Sequence, residues 1–227
     1  MINKYTFLKT AAFLFVFALT NPAMANSQAN AKNSKAGDAV AGEAKTASCA
    51  ACHGADGNSS VPSFPKLAGL GEKYLFKQLR DIQSKKRDIP QMAGLLDGMK
   101  EKDLQDIAAY YNSKTMQISG AKAIEVQVNS GIKVDGLELG ERVFRAGNHD
   151  SGVPACTGCH SPKGLGNAPA GYPRLSGQYA EYIETQLRAF RSGNRTNDGD
   201  TKVMRQVAQY MSDAEIIAVA NYIAGLN

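Results

Sequence analysis

A five-residue motif, Cys49-Ala50-Ala51-Cys52-His53, returns as Cys156-Thr157-Gly158-Cys159-His160, and each copy opens the same ordered series of landmarks. After the first copy come Pro65-Lys66-Leu67-Ala68-Gly69, then Tyr74-Leu75 with Gln78-Leu79-Arg80, then Met92 and Met99. After the second come Pro173-Arg174-Leu175-Ser176-Gly177, then Tyr182-Ile183 with Gln186-Leu187-Arg188, then Met204 and Met211. The second Cys and the first of the paired methionines are 40 residues apart in one copy and 45 in the other, so the difference fits in loops. Four landmarks in one order describe two small domains in tandem rather than one large one.

Periodicity sets the local structure. Leu75, Leu79 and Ile82 fall on one helical face, as do Leu104, Ile107, Ala108 and Tyr111, and both segments recur in the second copy. Ser212 with Glu215 three residues on reads as a capping box, in which each side chain accepts from a free backbone N–H of the other residue. Lys100 stands at the matching place in the first copy; a lysine cannot accept that bond, so the last helix of the first domain is expected to start less cleanly. Strand signals are scarce. The one alternating stretch, Ile124 to Val128, falls between the repeats and suits an extended connecting strap. The expected fold is all-α, with a first domain over 38–117, a strap over 118–135 and a second domain over 136–227.

A Cys-x-x-Cys-His run attaches c-type haem, and geometry explains the order. Two thiols one helical turn apart can each add to a vinyl group on one haem edge, and the following His then directs its imidazole at the iron from one face. A lone Cys-x-x-Cys without the His would suit a redox disulfide or half of a zinc site better than haem. Two copies with the adjacent His favour haem: a redox pair does not require the His, and three ligands so close in sequence cannot easily surround one zinc ion. The two motifs use all four cysteines, Cys49, Cys52, Cys156 and Cys159, leaving none for a structural disulfide. Two covalently bound haems are therefore expected, each the centre of a small core.

Counting constrains the opposite face of each iron. The chain has three His; His53 and His160 belong to the motifs, and His149, in a loop with Gly and Asp, reads as solvent-exposed. At least one iron needs another ligand, and methionine sulfur is the usual second choice. Met99 and Met211 each precede a terminal helix as a hydrophobic staple would, which leaves Met92 and Met204 for iron. Lys85-Lys86-Arg87 reads as a solvated helix end, where cations suit the negative end of the dipole.

At the N-terminus Lys4 and Lys9 precede an apolar run from Ala11 to Leu19, then Pro22 and Ala23-Met24-Ala25. This pattern predicts a secretory signal peptide over 1–25, followed by a flexible leader over 26–37. Nine apolar residues are too few for a membrane helix, which needs roughly 20. Removing the segment takes two lysines and no acid, so the formal charge falls from +5 to +3. With no basic stripe carrying interleaved aromatics, nucleic-acid binding has no support.

The strings Arg145-Ala146-Gly147-Asn148, Pro154-Ala155-Cys156, Gly171-Tyr172-Pro173-Arg174-Leu175 and Phe190-Arg191-Ser192-Gly193 are more specific than the haem motif, and with them nearly the whole exported chain resembles the dihaem cytochromes c4. The resemblance implies two class I cytochrome c domains facing each other about an approximate twofold axis, with haem edges and propionates near the shared interface. It implies His53 with Met92 and His160 with Met204 as axial pairs, and hydrogen bonds from the imidazoles to the carbonyls of Pro65 and Pro173. It also implies a periplasmic electron carrier, expected to be monomeric, rather than an enzyme. Its partners would be redox proteins such as a membrane terminal oxidase or a quinol-oxidising complex, and peripheral membrane association is compatible with it. The alternative role is the electron-accepting subunit of a larger dehydrogenase, such as a flavocytochrome sulfide dehydrogenase.

Overall fold

Asp38 starts the first repeat: its carboxylate accepts from the N–H groups of Val40 and Ala41 and caps a short helix, α1 (Ala39–Glu43). From there the chain runs through α2 (Ala47–His53), α3 (Glu72–Gln83), one turn of 3₁₀ helix (Pro90–Met92) and α4 (Glu101–Asn112). The second repeat follows the same order with α5 (Gly136–Ala146), α6 (Thr157–His160), α7 (Ala180–Ser192), α8 (Val203–Ala208) and α9 (Asp213–Gly225). This computed structural model describes residues 36–227; the expected signal peptide and nearly all of the leader lie outside the described residues. Among the described residues, no helix is long and apolar enough to cross a membrane.

Both predicted segments are helical, and α4 packs on α1 and α3 while α9 packs on α5 and α7. Helices α1 and α5 were not legible as elements, and each approaches its partner through a glycine. A Cβ on Gly42 would stand 2.0 Å from the Asp106 carbonyl oxygen, and one on Gly140 would stand 2.2 Å from that of Ala218. Asp106 and Ala218 occupy matching places in the repeat, so both domains use one close helix crossing.

Two apolar cores result. Leu75, Ile107, Ala108 and Tyr111 centre the first, joined by Met116 from beyond α4. Val143, Phe144, Ile216, Val219 and Ile223 centre the second, with Met211 buried among them. Between the domains the chain is extended, but it also pairs with itself. Strand β1 (Glu125–Gln127) runs antiparallel to β2 (Lys133–Asp135), with Val126 opposite Val134. The reason lies in the alternation already noted: Val126 is buried in the second core while Glu125 and Gln127 face outward. Gly131, with φ at +84°, turns the ribbon.

The helix starts differ as the sequence implies. At α9 the Ser212 hydroxyl accepts from the Glu215 N–H, and the Glu215 carboxylate accepts from the Ser212 N–H at 2.7 Å. At α4 one half of that exchange survives, because Asp103 accepts from the Lys100 N–H at 2.9 Å. The basic triplet is a correction. Helix α3 ends at Gln83, and Lys85 and Lys86 are exposed as expected, but Arg87 is only 8% exposed. A pattern read on one helix could not reveal that the other domain covers this residue.

Candidate haem-binding sites

Helix α2 puts Cys49 and Cys52 one turn apart and ends at Gly54, whose φ of +79° stops the helix directly after His53. His53 is buried, and its Nδ1 lies 2.8 Å from the Pro65 carbonyl oxygen. That contact makes Nδ1 the donor and leaves the Nε2 lone pair free for a metal. The loop bearing Pro65 is itself pinned, since the Gly57 carbonyl accepts from the N–H groups of both Leu67 and Ala68.

These side chains face a cavity of about 600 Å³. Cys49, Cys52, His53 and Met92 all line it, with Leu75, Leu79 and Ile107 among its apolar walls. Tyr182 and Gln186, on α7 of the second repeat, complete one side. Met92 arrives on the 3₁₀ turn, its N–H bonded to the Ile89 carbonyl at 2.8 Å. Met99 packs against the first core instead. Gln83 holds the loop that follows Met92 to α3, donating to the carbonyls of Leu96 and Met99 at 2.7 and 2.8 Å. No motif marks Gln83; only the fold shows what it does.

The second repeat reproduces the proximal half. Cys156 immediately precedes α6, which carries Cys159 and His160; His160 is buried with its Nδ1 2.9 Å from the Pro173 carbonyl oxygen. Met204 sits half-buried on α8, and Met211 is committed to the core. Helix α8 is fixed by Asp198, which accepts from the Arg205 N–H at 2.9 Å and from Arg205 Nε at 2.7 Å. Sequence reasoning passed over this pair as well. His149 is exposed.

Electrostatics separates the candidate chemistries. Burial lowers the pKa of both His53 and His160, outweighing the bond to the proline carbonyls, and so favours the neutral imidazole that a metal requires. Burial also pushes the Cys49 thiol up and the Cys156 thiol up to about 11. A redox-active Cys-x-x-Cys works by stabilising a thiolate, which is the opposite arrangement. No two of the four cysteines are joined in a disulfide. In the first repeat, an apolar cavity with two thiols at one side, an oriented imidazole and a thioether fits a covalently attached haem.

Comparison with known proteins points the same way. The family model described as Cytochrome c matches twice, over residues 34–114 and 137–227. Cytochrome c4 of Pseudomonas aeruginosa is 52% identical over 192 residues, spanning 85% of this chain and 90% of that protein. The crystal structure of reduced recombinant cytochrome c4 from Pseudomonas stutzeri superposes with a TM-score of 0.77 at 48% identity, covering 85% of this chain and all of that one. A more distant relative, a thiosulfate dehydrogenase electron acceptor of Thiomonas intermedia, is 36% identical over 79% of each chain.

Proposed function

Since this chain belongs to the cytochrome c4 family and so carries two covalently bound haem c groups, we propose that it shuttles electrons in the periplasm between redox-protein partners, towards a terminal oxidase. As a member of that family it is an electron carrier and not an enzyme. In the proposed arrangement Cys49 and Cys52 hold the first haem, and Cys156 and Cys159 the second. His53 and Met92 would ligate the first iron, and His160 and Met204 the second. The observation that carries the reading is the convergence of Cys49, Cys52, His53 and Met92 on one cavity, with the His53 ring already oriented.

When bound, the haem iron supplies reversible one-electron chemistry. The chain's part is to prepare the surroundings. The carbonyls of Pro65 and Pro173 hold each imidazole in one tautomer and raise its basicity. A methionine sulfur as a ligand beside His would favour reduced iron relative to a second His, and Leu75, Leu79 and Ile107 would give the first haem apolar walls. The imidazoles of His53 and His160 and the loop bearing Pro65 are thus held by the chain's own hydrogen bonds.

The test is Met92→Ala. It should lower the first haem's potential and abolish its sulfur-to-iron charge-transfer band, leaving the second haem's band intact. A band that survives the change would move the assignment to Met99. A second reading, as the electron-accepting partner of a dehydrogenase, is favoured by the 36% identity to a thiosulfate dehydrogenase electron acceptor. Isolation from the native periplasm distinguishes the two: a stoichiometric dehydrogenase supports the second reading, and a lone cytochrome the first.

A further inference from the structure

Two buried arginines face each other where the domains meet. Arg87 and Arg195 are each 8% exposed and occupy matching places in the repeat. Arg87 donates to Gln78 of its own domain at 2.8 Å and, across the interface, to the Tyr182 hydroxyl and the Gln186 carbonyl, both at 3.0 Å. Arg195 reciprocates, donating to Gln186 of its own domain at 2.7 Å and to Gln78 and Tyr74 across the interface at 3.1 and 3.3 Å. Every one of these partners is neutral. The carboxylate of Asp81 joins the network through Asn197 at 2.7 Å, but it is already paired with Lys77. Two guanidinium charges withdrawn from water with no anion bonded directly to either are costly, and arginine cannot escape by losing its proton.

The symmetry breaks at Asn197. Arg195 Nε donates to Asn197 Oδ1 at 3.0 Å, whereas the residue matching Asn197 in the first repeat is Ile89, which offers no acceptor. Arg87 Nε is accordingly buried with no hydrogen-bond partner among the described residues, and both Arg87 and Ile89 line the 600 Å³ cavity. An unsatisfied, charge-bearing donor on the wall of a cavity expected to take a haem calls for an anionic acceptor on the group that fills it. The haem periphery carries carboxylates.

We infer that Arg87 Nε binds a carboxylate of the first haem, making Arg87 a positioning residue that sets this haem's potential and ties it to the second domain through Tyr182 and Gln186. This rests on the reading that Cys49, Cys52, His53 and Met92 hold that haem. Reduction adds one negative charge to the site, so a nearby buried cation favours the reduced form, and its loss should lower the potential. Arg195 has its Nε satisfied within the protein and should matter less.

The experiment is an optical redox titration of the holoprotein, with the paramagnetically shifted haem methyl signals identifying each centre. Arg87→Gln should reduce the equilibrium constant for reduction of the first haem at least tenfold, about 59 mV for one electron. Arg195→Gln should move it less. Tyr182→Phe removes a cross-domain bond while keeping the charge, so it controls for a loosened interface. An unmoved first potential in Arg87→Gln, or a shift reproduced in full by Tyr182→Phe, overturns the inference. A wild-type protein without a sulfur-to-iron band from the first haem would instead refute the ligand reading beneath it, and the inference with it.

Discussion

The two domains make the same helix crossing with opposite chemistry beside it. In the first, the residue under the glycine is Asp106, a carboxylate with 3% of its side chain exposed, held by Lys45, Lys102 and the Asp38 N–H. In the second it is Ala218, and α5 meets α9 through Leu139, Val143 and Phe144. Helix α5 has eleven residues where α1 has five. Backbone approach through Gly42 or Gly140 fixes the crossing, and the adjacent side chain is then free to be a buried ion pair or plain packing. The first domain relies on charge to hold a helix too short to hold itself.

That contrast can be broken most severely at the glycines. Gly140→Val should destabilise the second domain by about 3 kcal/mol or more, because the new side chain meets the Ala218 carbonyl and lifts three core residues with the helix. Gly42→Val should cost the first domain about 1–3 kcal/mol, since α1 buries only that glycine. Denaturant titration followed by each haem's own methyl signals separates the domains. Equal losses would mean that the length of the first helix does not matter.

Next comes the carboxylate. Burial alone would raise the pKa of Asp106, but hydrogen bonds from Lys102, Lys45 and the Asp38 N–H outweigh it and bring the carboxyl down to about 2. An unfolded aspartate titrates at about 3.9. The folded state therefore gains stability from the charged form above about pH 4, and loses it as the pH falls from there through about 2. The first domain should weaken in acid before the second, whose lowered Asp213 is exposed and contributes little. Asp106→Asn should cost about 2 kcal/mol at neutral pH and flatten the acid response, as read from unfolding curves at pH 2 to 7.

What the chain disclosed in advance follows the reach of each signal. The haem motif is legible because its chemistry is local: two thiols, one turn apart, and the next side chain. The proline carbonyls follow from the family resemblance, and the structure puts both at hydrogen-bond distance from the imidazoles. Choosing Met92 over Met99 required noticing that a staple already explains Met99; in the fold Met99 packs on the first core and Met92 lines the cavity. Arg87 was misread because a basic triplet at a helix end looks solvated from within its own domain, while its burial depends on Tyr182 and Gln186, more than ninety residues away. Helix α1 escaped because its one buried residue is a glycine, which a hydrophobic pattern does not register; α5 does carry an apolar face, Leu139, Val143 and Phe144, and was passed over because the repeat was read from the haem motif that follows it. The β1–β2 ribbon escaped for a similar reason, since the alternation marks one strand and not its partner.

The mildest difference lies at the helix starts, and it is the easiest to move from one domain to the other. Asp103 already accepts from the Lys100 N–H, and its own N–H already donates to the Lys100 carbonyl at 2.9 Å, so Lys100→Ser would add only a side-chain oxygen as a second acceptor for it. The gain expected for the first domain is about 0.5–1 kcal/mol. It should fall at the lower end, because Asp103 is also engaged by Lys45 at 2.7 Å and cannot turn freely toward a new partner. The reverse change, Ser212→Ala, should cost the second domain about 1 kcal/mol, moderated by the bond from Asn148 that keeps Glu215 in place. If Lys100→Ser leaves the first domain unchanged while Ser212→Ala weakens the second, the ion pair at Lys45 already does the work of a cap, and the two helix starts are equivalent in energy though not in chemistry.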